Sequence, residues 1–240
     1  MIALFTRTLK GEYIMASQKL STYNIRLRGN LSWNNIIDTV LSSNSKQSYC
    51  IINEQGEAYI GGCYIFESIH NQTIYNISEN KFETITVPKQ NIIKFDIFID
   101  NNALFLWGNK KAAALFITIL EQASHNTLII EYNQTDFKTM LKHLLSDSTI
   151  SFSKMKITDI IIDNGIVANC SVNLSSCENA IELVQKYIES IAQITVSFGK
   201  EAQPVSITLY SSGSVVVFKD RDDIDDEVIN SINAMIGGAI

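Results

Sequence analysis

Two strand-like runs rich in Ile and Val, Lys156–Asp163 and Ile166–Asn173, flank the dipeptide Asn164-Gly165. Asn and Gly tolerate the positive φ angles of a tight type I′ turn, so this segment reads as a β-hairpin. A lone hairpin is at best marginal in water, so the rest of the chain must supply further strands and a covering layer.

The remaining pattern meets that demand. Leu20–Arg28 alternates Tyr23, Ile25 and Leu27 with polar neighbours, which predicts a half-buried strand. Ser32 caps a short helix with the stripe Trp33, Ile36, Ile37, Val40 and Leu41. Strand-like runs follow at 47–53, 58–67, 73–77 and 82–87, separated by Glu-Gln-Gly, by a His-Asn-Gln stretch and by Ser-Glu-Asn-Lys. Pro88 cannot donate to a ladder and closes this block. Next come a hairpin around Asn101-Asn102, a helix capped by Asn109 and apolar all round, a strand at 127–132, and a helix capped by Thr135. After the Asn-Gly hairpin, Ser175–Glu178 reads as a capping box before a helix reaching Ile191. Three strands follow, the last two joined around Ser212-Gly213. A final helix over Asp223–Met235 stops at Gly237.

The expected fold class is therefore α+β, with mostly antiparallel sheets and helices on one face. Residues 1–90 form a small β-rich block with one helix. Residues 1–14 are an extension if Met15 is the true start. Residues 91–240 form an α+β block. Within it, Asp96–Leu104 (DIFIDNNAL) resembles Asp159–Val167 (DIIIDNGIV), each followed by the second half of a hairpin, a helix and a strand. Units 91–150 and 151–240 are thus candidates for a duplicated β-β-α-β element.

Composition bounds the class. The chain has 240 residues, 46% apolar and 18% charged, a balance that supports a packed core without disulfide or metal staples. Its longest apolar run, Ala112–Leu120, is far short of the roughly 20 residues a membrane helix needs. The first residues lack the order of a secretory signal. Cys50, Cys63, Cys170 and Cys177 contain no Cys-x-x-Cys pair and read as reduced thiols of a cytoplasmic protein. Heavy use of Ile and Asn points to an AT-rich, bacterial genome.

Net charge is −6, unevenly spread. The first 50 residues carry Arg7, Lys10, Lys19, Arg26, Arg28 and Lys46 against Glu12 and Asp38. The rest is strongly acidic, which repels a phosphate backbone over most of the surface. Any nucleic-acid contact falls to Lys19, Arg26 and Arg28, with Trp33 nearby. The run Asp220, Asp222, Asp223, Asp225 and Asp226 is first a helix N-terminus complementing the macrodipole, with Asp222 or Asp223 as cap, and second an acidic face for a partner.

No catalytic or metal-binding constellation emerges. Gly108-Asn109-Lys110-Lys111 joins strand to helix but lacks phosphate-loop spacing and reads as a capped turn. His143 and Asp147 share a helix face but make only one pair of potential ligands. No cofactor is implied. The leading expectation is a non-catalytic interaction or assembly protein that binds a protein partner or itself as an oligomer. The first alternative is a nucleic-acid-associated, clamp-like homodimer using the basic N-terminal face. The second is a hydrolase or nuclease with an unfamiliar motif.

Overall fold

The computed structural model describes residues 17–29, 31–132, 136–163, 166–198 and 204–237. In chain order the elements are β1 (Gln18–Leu27), α1 (Trp33–Ser42), β2 (Ser48–Gln55), β3 (Tyr59–Asn76), β4 (Lys81–Phe98), β5 (Ala103–Trp107), α2 (Lys110–Ala123), β6 (Leu128–Tyr132), α3 (Phe137–Ser146), β7 (Ser151–Asp163), β8 (Ile166–Asn173), α4 (Ala180–Lys186), β9 (Ile191–Phe198), β10 (Val205–Tyr210), β11 (Val215–Val217) and α5 (Asp226–Gly237). A single 3₁₀ turn, Arg221–Asp223, precedes α5.

All the described strands belong to one sheet, ordered β2-β3-β4-β5-β1-β11-β10-β9-β7-β8, with β6 beside β1. Every described pairing is antiparallel. The mostly antiparallel α+β expectation therefore holds. The two halves of the sheet meet at a short seam, where Gln18, Lys19 and Leu20 of β1 pair with Val217, Val216 and Val215 of β11.

The core has two parts, set by β5. All five residues of Ala-Leu-Phe-Leu-Trp are buried, as expected of a strand covered on both faces. Leu104 and Leu106 join Ile36, Ile37 and Val40 of α1 and Phe116 and Leu120 of α2. Ala103, Phe105 and Trp107 join Met140 and Leu144 of α3 and Val228 and Ile232 of α5. Period-two alternation sends neighbouring residues into different clusters. The helices expected on one face are thus divided between two.

Several local expectations change. β3 and β4 each run for 18 residues without a break. The His-Asn-Gln stretch lies inside β3, and Pro88 pairs with Ile69. The boundary expected near residue 90 falls within β4. Among the described residues, β3 pairs only with β4 beyond residue 66, and β4 pairs only with β3 before Lys94. The Ile99 N–H donates to the Ala58 carbonyl, so by alternation Ile69–Pro88 is a non-hydrogen-bonded pair, and the donor that proline lacks costs no ladder bond. α2 buries one stripe, Ala112, Ala113, Phe116 and Leu120, and leaves Ala114 and Leu115 exposed. Asp136, not the expected Thr135, caps α3 by accepting from the Thr139 N–H. The capping box at Ser175–Glu178 does not form. α4 starts at Ala180 after Asn179, which makes no side-chain cap bond, and Ile191 opens β9. Asp220 caps the 3₁₀ turn and α5 begins only at Asp226.

The hairpin β7–β8 forms, although its Asn164-Gly165 turn and the extension 1–14 lie outside the described residues. The two similar segments differ in their setting. β5 lies inside the sheet, whereas β8 is its edge. β7 also carries a bulge with Asp159 at φ 59°, where the corresponding Asp96 sits in unbroken ladder.

Candidate functional site

Three features stand out on this scaffold: a polar clasp beside the seam, the projecting β3–β4 ribbon, and a cleft between β1 and α5.

The clasp is centred on Asp96, a fully buried carboxylate on β4. Arg221, in the 3₁₀ turn, donates from Nε to both carboxylate oxygens at 3.0 Å and from Nη2 to Oδ1 at 2.8 Å. The Tyr59 hydroxyl and the Trp107 indole N–H donate to the same carboxylate. Burial works against the charge on Arg221, but the hydrogen bonds and charge of Asp96 outweigh it and hold the guanidinium above its ordinary pKa. Burial, then the Asp96 charge, pushes the Tyr59 phenol up. Alongside, Lys94 bridges Asp220 and Asp222, 2.7 Å from the latter, and Gln18 donates to Asp220 at 2.9 Å. With its oxygens taken by Arg221, Tyr59 and Trp107, Asp96 is arranged for cohesion and presents no acceptor to a substrate. An acid amid the apolar run Phe95, Ile97 and Phe98 is the signal in the sequence, since a buried carboxylate needs partners. Nothing local to Asp96 names Arg221.

The ribbon, roughly 67–91, extends about 33 Å beyond the sheet at 3.3 Å per residue. One face carries Ile69, Tyr75, Phe82 and Pro88, with Ile77 in the turn. Ile69 is 78% exposed, Phe82 74% and Ile77 86%. The tip is structured. Asn76 accepts from the Ser78 and Glu79 N–H groups, Lys81 pairs with Glu79 and Glu83, and Tyr75 packs edge-on against Phe82 at 5.1 Å. Its charges nearly balance: Glu67, Glu79 and Glu83 against Lys81 and Lys89.

The cleft has a volume of about 710 Å³. It brings together Arg26 and Arg28 from the proposed basic set, but separates them from the other two members. Even-numbered residues of β1 face the cleft, so Lys19 projects from the opposite face. Trp33 packs against the cluster around Ile25, Ile36 and Phe116, also on that opposite side.

The acidic run is similarly divided. Asp220 and Asp222 are engaged by Lys94, and Asp226 lies 3.9 Å from Arg221. Asp223 and Asp225 are exposed and make no ion pair among the described residues. His143 lies in the last turn of α3, while Asp147 accepts from the Thr149 N–H and hydroxyl. All four cysteines are free thiols. No group of three or more His, Cys, Asp or Glu side chains able to hold a metal ion occurs among the described residues. No helix among them is long and apolar enough to cross a membrane.

The chain matches no protein-family model and no curated protein.

Proposed function

We propose that this chain is a non-catalytic assembly protein that pairs with a second copy of itself through the β3–β4 ribbon. The observation that carries this reading is the solvent exposure of Ile69, Ile77 and Phe82 on a structured two-stranded arm with no sheet neighbour. Tyr75, Ile77 and Phe82 are grouped at the tip, with Ile69 about 20 Å nearer the sheet on the same face at roughly 3.3 Å per residue. A group of exposed apolar side chains marks an interaction surface more often than a solvated one. An arm free of its own sheet also gains order when covered.

The near-balance of charge on the ribbon favours a like surface over a nucleic-acid backbone, which a cationic patch would serve. Twofold pairing sets one patch against itself, so it suits a tip that is apolar at Tyr75, Ile77 and Phe82 and carries both signs of charge at Glu79, Lys81 and Glu83. The contact uses the faces of the ribbon. Pro88 removes a donor from the outer edge of β4 and so disfavours strand addition there.

The test is sedimentation velocity over a wide concentration range, on the wild-type chain and on Ile69→Ser/Phe82→Ser. A concentration-dependent dimer that dissociates in the variant, at unchanged melting temperature, supports the reading. A wild-type chain that stays monomeric throughout overturns it.

A further inference from the structure

We infer that the cleft between the β1–β6 pair and α5 binds a phosphorylated nucleoside, either as a free nucleotide or as part of a nucleic-acid strand. The inference uses residues away from the ribbon and does not depend on self-association.

Size comes first. About 710 Å³ lies within the range of small-molecule sites, which spans roughly 300–1,000 Å³. Charge comes second. Arg26 on β1 and Arg28, one residue past its end where the Arg28 N–H still donates to the Thr127 carbonyl, lie two residues apart and both line the cleft, about 6.6 Å apart along the chain. Neither side chain has an ion-pair or hydrogen-bond partner among the described residues. Two unpaired guanidinium forks side by side match a pair of neighbouring phosphate groups, which accept bidentate bonds.

The third observation separates a nucleotide from a bare polyanion. Asn233 of α5 lines the same cleft with only 4% of its surface exposed, and its Oδ1 has no hydrogen-bond partner. Buried acceptors are rarely left empty, so the site calls for a ligand that brings an N–H or O–H donor. Glu131, opposite Asn24 in the β1–β6 pair, adds another acceptor to the lining. A plain phosphate would be repelled by Glu131, whereas a sugar hydroxyl or a base amino group donates to it. Ile129 and Ala234 supply apolar surface for the flat face of a base. A ligand with anionic groups at one end and donors on a ring at the other satisfies all three observations.

Isothermal titration calorimetry tests the inference on the intact chain with four probes: ADP, adenosine, pyrophosphate and a 5′-phosphorylated oligoadenylate. Saturable binding of ADP, with adenosine and pyrophosphate each at least about tenfold weaker, is expected from charged hydrogen bonds at one end and neutral ones at the other. Arg26→Gln/Arg28→Gln should weaken ADP at least about tenfold without changing the melting temperature, because both arginines are exposed and unpaired. Asn233→Leu should weaken ADP more than pyrophosphate. If the oligonucleotide binds more tightly than ADP and loses affinity steeply with salt, the site serves a strand. If ADP binds more tightly, it serves a free nucleotide. Absence of saturable binding by either overturns the inference. So does equal affinity for ADP and pyrophosphate, or indifference to the arginine pair. Repeating the titration on Ile69→Ser/Phe82→Ser, where binding should be unchanged, separates this outcome from the fate of the ribbon reading.

Discussion

Arg221 and Asp96 lie 125 residues apart in the chain, yet the guanidinium of one holds both oxygens of the other. The contact ties β4 of the N-terminal half of the sheet to the turn that leads into α5. It does so beside a seam whose strand register covers only Gln18–Leu20 and Val215–Val217.

Arg221→Met should therefore destabilise the chain by about 3–5 kcal/mol, the usual cost of leaving a buried charge without its partner. Replacing both members, as Asp96→Leu/Arg221→Met, should cost clearly less than the sum of the two single changes, because no uncompensated charge remains. Urea denaturation of the four proteins measures both statements.

Stability should decline at both ends of the pH scale through the same region. Burial opposes the charge on Lys94, but its hydrogen bonds to Asp220 and Asp222 outweigh burial and raise its pKa. Burial and the Asp96 charge raise that of Tyr59. Both contributions are complete below the unfolded values of about 10 and fade as pH rises through the folded ones. Asp220 runs the other way. Burial would raise its pKa, but Lys94 and the Asp222 N–H hold it low. Its contribution is present above about 3.9 and is lost as pH falls through the depressed folded value. The urea midpoint should be nearly flat between these limits, and Lys94→Met should shallow both slopes.

Gly62→Ala should cost about 1–3 kcal/mol, the range for overpacking a closed core. An added Cβ would sit 2.3 Å from the Ile51 carbonyl oxygen and 2.8 Å from the Phe95 ring, so backbone has to move. At Gly61 the obstacle is the Tyr59 hydroxyl at 2.4 Å. Gly61→Ala should instead displace that side chain and weaken its hydrogen bond to Asp96, at about 1 kcal/mol. Denaturant titration of the two variants distinguishes the mechanisms.

Cys50 should resist thiol reagents until the chain unfolds. Burial, followed by the nearby Cys63, pushes its pKa up to about 12. At pH 8 only about one thiol in ten thousand is ionised, and the thiolate is the reactive form. Mass-spectrometric mapping after a short exposure to iodoacetamide, with and without urea, should place Cys50 among the modified residues only in urea.

Local patterns settled much of the secondary structure in advance. Ser32 caps α1 by accepting from the Asn35 N–H, and Asn109 caps α2 by accepting from the Ala112 N–H, as their positions before apolar stripes predict. Gly213, at φ 78°, turns β10 into β11. These outcomes depend on a few neighbouring residues, so a short window of sequence contains their cause. The ribbon escaped for the opposite reason. With both faces wet and both edges free, it tolerates a polar stretch and a proline that elsewhere would end a strand. Its strands therefore look like turns.

What the amino-acid order determined by itself was most of the alternation of strands and helices, the caps of α1 and α2, and the presence of an acid amid the apolar run at 95–98. Which strands became neighbours was decided only when distant segments packed together, because burying β5 on both faces required helices from both halves of the chain. The same packing joined Arg221 to Asp96 and brought Asn233 into the cleft that Arg26 and Arg28 line. Such pairs arise from the low dielectric and close geometry of the folded interior, which no spacing along the chain encodes.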